Sequence, residues 1–437
     1  MPERMSKPTL LLMDVFGILD ASRSGLIDAF AAAGCDVVVA NFAYTHLSQS
    51  EELSETLLAF LEADGVAIDG ALSINAVGLS APIYEGLARR GAAHAAWFVD
   101  SPFYFSGLEI PESVLLSVAC SNFAEHPQAT RADWLPFAGF EPRPSQNRAA
   151  TSVGFLGSLH HIALYAARSQ DGLVGSRTGP LPVGVELRDR MRSPFFMIDE
   201  TWSLPDGTPV NAMEYFNFQS SMHRLELLSY FSATDLEIQG PPSWYKELWT
   251  AAPHLLHKFS VNSVAGEREM RAYMARYRIC LNIFHIQNMN GGPNFRSFDA
   301  ASHGVPCLSQ YNRDCTALFP HGEAALYFNN PAEALHLHRE LDGSSRLRQK
   351  LAAAAARVVR DGNTFSHRAS RFLNTLALRQ RAGTARGTIR HLRWQDGWTA
   401  EPEDAALAAA ASQEPSQAGR EFLARNPIRR FFERARR

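Results

Sequence analysis

Three features of the sequence predict an α/β chain built on buried parallel sheets in two units. Apolar runs of strand length alternate with helical segments through residues 9–140, a pattern that covers a parallel sheet on both faces. A second such unit closes around Cys280 to Gln310, where a strand, a glycine loop, a helix start and another strand follow one another. Between the two lies residues 133–150, a Pro-rich polar stretch without periodicity that reads as a linker. A length of 437 residues accommodates two or three domains, and a hydrophobic content of 46% supplies a sizeable core.

In the first unit, Thr9 to Phe16 is predicted as a buried strand ending at Gly17, and Gly25 to Ala33 as a helix closed by Gly34. Asp36 to Ala40 is the next strand and Ser54 to Ala63 the next helix. Strands follow at Ala71–Val77, Ala95–Val99 and Val114–Ala119, with a helix at Ile83–Arg90. Ligands of open sheets sit beyond the carboxyl ends of the strands, so the loops after Phe16, Val77, Val99 and Ala119 are the ones to inspect. In WFVDSPFYF, Asp100 directly follows an apolar strand and precedes Ser101-Pro102, so the chain turns there. By itself Asp100 reads as a cap of that turn.

The second unit opens with a strand at Thr151–Leu156 and Gly157-Ser158 at its end. Residues 162–235 are less regular, with helices at Leu187–Arg192 and Met222–Phe231, and part of this segment reads as an insertion over a cleft mouth. Arg224, at the start of the helix HRLELLSYF, reads first as a solvated helix charge and second as a site arginine. Short strands at Leu236–Gln239 and His257–Val261 and a helix at Glu267–Tyr277 lead to the strand Ile279–His285. After the glycine loop come a helix at Phe295–His303, closed by Gly304, and a strand at Val305–Ser309. Beyond Ser309 the alternation is expected to end, with helices at Arg346–Arg360 and Phe365–Leu378.

The loop carries chemistry. Gly291 and Gly292 let backbone N–H groups approach a ligand, and the helix start offers free donors and partial positive charge to a diphosphate. Arg296, in the first helical turn, can pair with phosphate oxygens. Asp299, one turn later on the same face, can accept hydrogen bonds from a sugar diol. The other reading of these two residues is an intrahelical ion pair.

The run NGGPNFRSFDAASHGVPCLSQ, followed by LFPHGEAALYFNNPAEAL, resembles the donor-binding half of group 1 nucleotide-sugar glycosyltransferases, in particular the CgeB-like branch named for a spore maturation protein. Asn294, Arg296, Phe298, Asp299, Ala300, Gly304, Pro306, Leu308 and Ser309 fall on that branch's N-x-R-x-F-[ED]-A-x-x-x-G-x-P-x-L-S core. Trp97, Asp100 and Pro102 match its W-x-x-D-x-P element. The resemblance implies a GT-B fold, two facing Rossmann-like domains with a central cleft. These are expected at residues 1–145 (acceptor side) and 151–380 (donor side), followed by an Ala/Pro-rich and basic tail at 381–437. It implies donor contacts from Gly157, Ser158, Gly291, Gly292, Asn294, Arg296 and Asp299, and acceptor-side positions at Gly17, Trp97 and Ser101. Asp100 would orient or deprotonate the acceptor hydroxyl. The implied activity is transfer of a sugar from a nucleotide-diphosphate donor to a glycan or protein hydroxyl, independent of metal and of any cofactor. A catalytically silent scaffold and a sugar-nucleotide epimerase are the alternatives on this fold. The chain departs from the pattern at Asp299, where the family usually has Glu, and at Gly291, where the wider group's E-x7-E motif has its first acid.

A net charge of −3 gives no global pointer to nucleic acid. No run of eighteen apolar residues predicts a membrane span, and MPERMSKPTLLLMDVFGI reads as a first strand, not a signal peptide. The five scattered cysteines read as reduced core residues of a cytoplasmic protein, and neither they nor the adjacent His160 and His161 have metal-ligand spacing. Residues 381–437 hold 11 Arg against 7 acidic residues. On a helix Ile428, Phe431 and Phe432 would share one face, so this segment reads as a helix docked on the protein's own surface, as a disordered solubilising tail, or as a peripheral contact with the anionic inner membrane surface.

Overall fold

The computed structural model of the chain describes residues 7–15, 20–42, 50–75, 81–100, 110–125, 129–143, 151–157, 159, 201–203, 209–261, 267–285, 288, 291–394 and 397–401. Two sheets carry the architecture. The first contains β1 (Thr9–Val15), β2 (Asp36–Phe42), β3 (Gly70–Ile74), β4 (Ala93–Phe98), β5 (Leu115–Val118) and β6 (Asp133–Trp134). The second contains β7 (Thr151–Leu156), β10 (Leu236–Gly240), β11 (Phe259–Val261), β12 (Tyr277–Asn282), β13 (Cys307–Gln310) and β14 (Leu326–Phe328). A small antiparallel pair, β8 (Thr201–Ser203) and β9 (Pro209–Asn211), stands apart. Two late strands, β15 (Ile389–Trp394) and β16 (Trp398–Glu401), return to the first sheet.

The described helices are α1 (Asp20–Ala32), α2 (Ser50–Ala63), α3 (Ala81–Arg89), α4 (Ala212–Tyr230), α5 (Trp244–Ala251), α6 (Glu267–Met274), α7 (Phe295–Ser302), α8 (Arg313–Leu318), α9 (Pro331–Gly343), α10 (Ser345–Arg360) and α11 (Phe365–Thr375). None of them is long and apolar enough to cross a membrane.

The first sheet has the order β16-β15-β2-β1-β3-β4-β5-β6, parallel throughout except at β16. Its centre explains the sequence pattern: Leu10, Leu11 and Leu12 on β1 are all at most 1% exposed, because both faces of the strand are covered. The second sheet is wholly parallel in the order β11-β10-β7-β12-β13-β14. Counted within its own unit, that order is 3-2-1-4-5-6, which reverses between β7 and β12. In the first sheet the order reverses between β1 and β3. Both reversals open crevices at the carboxyl ends of the strands.

Four expectations from sequence need correction. The chain beyond Arg381 does not leave the fold as a tail at once. β15 pairs in parallel with β2, and Leu392 and Trp394 are buried there; the alternation of IRHLRW was masked by the basic, Gly-rich composition around it. The stretch 133–150 is not all linker, since β6 pairs with β5 and Leu135, Phe137, Ala138 and Phe140 are buried. The alternation does not end at Ser309, because the short run Leu326–Phe328 extends the second sheet as β14. The strand predicted at Ala71–Val77 stops at Ile74, where Asn75 takes a positive φ of 60°.

The chain crosses back to the first unit through α11. Thr364 and His367 form a capping box at its start, and Phe372 meets Phe30 of α1 with ring centroids 6.4 Å apart. Buried Arg368 donates to the carbonyls of Pro136 (2.6 Å) and Phe137 (2.8 Å). The expectations for Leu187–Arg192, His160, His161 and the membrane-facing segment 420–437 lie outside the described residues.

Candidate active site

The two units meet at a seam. From the second unit comes the loop before α7, and from the first come Cys120, Ser121 and Asn122 after β5. Gly292 has a φ of +99°, and a Cβ there would overlap the Sγ and Cβ of Cys120. At Gly291 a Cβ would lie 3.2 Å from Ser121 Oγ and 3.4 Å from Asn122 Oδ1. Both glycines therefore answer to a close approach of the opposite unit. Asn288 Nδ2 donates to Cys120 Sγ at 3.1 Å. Asp314, at the start of α8, accepts from the Ser121 backbone N–H (2.8 Å) and hydroxyl (2.7 Å), and Arg313 donates to the same hydroxyl.

Asp100 stands on the first-unit side of this seam, half-buried at the end of β4. Asn75 Nδ2 donates to its Oδ2 at 2.9 Å, and Asn75 Oδ1 accepts from the backbone N–H groups of Val99 (2.8 Å) and Asp100 (3.0 Å). Burial, with Asp314 and Asp100 adding negative charge, holds the Cys120 thiol well above its ordinary range. Cys120 is thus a neutral thiol at the seam, not a nucleophile.

On the second-unit side, Asn294 precedes α7 without a side-chain cap. It instead exchanges amides with Asn282 at the end of β12, at 2.7 and 3.1 Å. Asn282 also reaches Ser309 Oγ at 3.1 Å, which ties the loop to β12 and β13. Gly157 ends β7 where a Cβ would press into the Phe155 ring. Helix α4 lays polar side chains over the ends of β12 and β13. Asn217 bonds His285 (3.0 Å), His223 bonds Gln310 (3.3 Å), and Arg224 Nε approaches the Ile283 carbonyl (3.4 Å). Arg224 is 6% exposed, so its reading as a solvated charge is corrected. His223, His285, Asn217 and Gln310 were not singled out in the sequence; the only signal was the polar face of the helix carrying Arg224.

Arg296 and Asp299 are placed differently from the expectation. They pair with each other at 2.9 Å. Their face of α7 packs toward α6, where Arg296 also meets Met270 Sδ at 3.3 Å and its Nε has no partner. Asp299 is 3% exposed, and burial raises its carboxyl to about 6 although Arg296 pulls the other way. The intrahelical pair is the reading that the geometry shows. Trp97 is also corrected as a cleft residue. It is 1% exposed, donates to the Leu135 carbonyl (2.9 Å) and packs on Phe137 and Phe372. Gly17, Ser101 and Ser158 lie outside the described residues. Among the described residues no group of three His, Cys, Asp or Glu side chains could hold a metal ion.

Residues 221–374 match a family model described as glycosyl transferase-like. No curated protein matches the chain in sequence. Among solved structures, sucrose-phosphate synthase from Thermosynechococcus elongatus is similar with a TM-score of 0.54 at 8% identity, over 85% of this chain and 99% of that one. The HepE protein of Anabaena, solved in complex with UDP and glucose, gives a TM-score of 0.50 at 11% identity, over 85% of this chain and 99% of that one. Over residues 221–374 the chain is thus similar to the group 1 glycosyltransferases, and its two facing parallel sheets are the GT-B fold of such enzymes.

Proposed function

We propose that the chain transfers a sugar from a nucleoside-diphosphate donor to the hydroxyl of a glycan or protein acceptor, as a CgeB-like member of the glycosyltransferases it resembles. The observation that carries this reading is the apposition at the seam. Asp100, at a strand end of the first sheet, lies near enough to Cys120 to act on its thiol, and Cys120 packs against Gly292 in the loop before the uncapped start of α7. The N–H groups at that start would take the diphosphate, with Gly157 and the loop at Gly291, Gly292 and Asn294 around it. Asp100 would orient the acceptor hydroxyl and take its proton as the new bond forms. Stabilisation of the departing nucleoside diphosphate by backbone donors needs no metal in this scheme. The five cysteines are free and buried, which suits a reducing, cytoplasmic setting.

A scaffold without catalysis is the second reading, favoured by the inward turn of Asp299 and by Gly291 at the first acidic position of the wider group's motif. Calorimetric titration with UDP, GDP, ADP and their sugars separates the two. The enzyme binds one nucleoside diphosphate and turns over its sugar with a product identifiable by mass. A chain that binds none of them is the scaffold.

A further inference from the structure

Two described residues other than glycine have a positive φ, Asn75 at 60° and Ala377 at 56°. Ala377 ends α11, where a left-handed residue is an ordinary helix stop. Asn75 ends a strand instead, at the crevice between β1 and β3, and is 2% exposed. Left-handed backbone is disfavoured for most residues and least so for Asn, Asp and Gly, so its persistence at a candidate site needs a reason.

The reason is on the neighbouring strand. The Asn75 backbone N–H donates to the Trp97 carbonyl (2.9 Å), which extends the β3–β4 pairing by one residue. The left-handed turn then swings the side chain across the end of β4. There its side-chain oxygen accepts from the N–H groups of Val99 and Asp100, and its amide nitrogen donates to Asp100 Oδ2. One side chain thereby fixes both the backbone and the carboxylate of Asp100. No other residue type meets all the conditions. Glycine allows the backbone but leaves two N–H groups without their acceptor. Aspartate keeps the acceptor but sets a second carboxylate where Asp100 now finds a donor. Larger residues resist the φ.

We infer that Asn75 is a positioning residue for Asp100: it fixes the carboxylate that meets the acceptor hydroxyl. This rests on the role given to Asp100 above. The test compares wild type, Asn75→Gly, Asn75→Asp, Asp100→Asn and the double variant Asn75→Gly/Asp100→Asn. UDP-glucose is the probe, UDP release the readout, and a crystal structure of Asn75→Gly is solved alongside. Glycine keeps the backbone, so the fold and the donor KM should hold while kcat falls about tenfold or more, the loss of one hydrogen bond to a charged group. Asn75→Asp should fall further, and in the Asp100→Asn background Asn75→Gly should cost nothing more. In the crystal the Asp100 carboxylate should leave its present position. Wild-type kcat in Asn75→Gly beside a crippled Asp100→Asn overturns the inference alone. An equal loss with and without the Asp100 carboxylate reduces Asn75 to a fold residue and also overturns it. Near-normal turnover of Asp100→Asn overturns the role of Asp100 and this inference together.

Discussion

The Asp314 carboxylate caps the 3₁₀ turn at Ser121–Glu125 from across the seam: Oδ2 takes the Ser121 backbone N–H at 2.8 Å and Oδ1 its hydroxyl at 2.7 Å. The two residues are 193 positions apart and belong to opposite units. Asp314 is only 4% exposed, so these are charge-assisted bonds sheltered from water. They hold the two units in the apposition seen here, and domain movement of this kind gates many transferases.

Asp314→Ala should therefore loosen the apposition. Each bond to a charged group contributes about 1.5–3 kcal/mol, and the Ser121 N–H would be left without its acceptor. The radius of gyration from small-angle scattering should rise, while the melting of each unit changes little. Asp314→Asn, which keeps an acceptor oxygen, should fall between. Identical scattering from all three proteins would mean that other contacts hold the seam.

Gly292→Ala tests the same seam by size. The φ of +99° penalises any side chain, by about 1–2 kcal/mol. Overlap of the new methyl with Cys120 adds about 1–3 kcal/mol, the usual cost of overpacking. In a Cys120→Gly background the second contribution should vanish and the first remain. Urea unfolding of the four proteins gives the coupling directly. Strict additivity would show that the loop moves aside instead.

Much of this fold was legible in the sequence, because a strand buried on both faces cannot hide its apolar run: Thr9–Val15 and Thr151–Leu156 announced themselves, and Tyr277–Asn282 did so from Ile279 onward, Tyr277 having read as the end of the preceding helix. β14 and β15 did not. The first is three residues long and the second alternates with arginine and histidine as an outer strand does. At the site, local signals singled out Asp100 and the glycine loop along the chain. They could not show which neighbour each side chain meets. Trp97 looked like a cleft aromatic, but its partners Phe137 and Phe372 are remote in sequence. The glycines fitted a ligand loop equally well as a protein contact, and the contact with Cys120 spans 172 residues of chain, as 292 less 120. Asn75 carried no signal, since a left-handed asparagine is spelled like any other.

The core of the first unit carries its own pH dependence. His94 on β4 is 5% exposed, bonds Ser73 Oγ at 3.0 Å and stacks on Tyr84 at 5.3 Å. Burial lowers it from 6.5 to about 3. The folded state thus keeps the imidazole neutral, and the associated stability is present above pH 6.5 and lost as pH falls toward 3. Within that window the slope for one group is about 1.4 kcal/mol per pH unit. His94→Gln retains a partner for Ser73 and removes the titration. Its stability should fall less steeply than wild type between pH 6.5 and 5, with the smallest gap at the acid end. Parallel curves for the two proteins would show that His94 does not set the acid limit.

The buried pair Arg296–Asp299 makes a prediction opposite to the one its place in the motif suggests. If Arg296 held a diphosphate, Arg296→Ala would weaken nucleotide binding and leave the fold alone. In the structure the guanidinium instead serves Asp299 at 2.9 Å, and its removal leaves a carboxylate at 3% exposure without its cation. Breaking a buried pair in this way costs about 3–5 kcal/mol. The sign of the pH dependence follows from the raised carboxyl. Asp299 titrates at about 6 in the fold against an ordinary 3.8, so its contribution is fully present below 3.8 and lost as pH rises through 6. Without Arg296, which lowers that value, the folded carboxyl titrates higher still and the loss continues further upward. The stability gap between wild type and Arg296→Ala should therefore widen from pH 5 to pH 8, while affinity for the bound nucleoside diphosphate changes little at pH 5, where Asp299 can be neutral. Arg296→Ala/Asp299→Asn should recover most of the lost stability at pH 8 by removing the stranded charge. Thermal unfolding across that range, with calorimetric titration of the same samples, decides between the two roles. A variant that melts like wild type at pH 8 but no longer binds nucleotide would return Arg296 to the donor site.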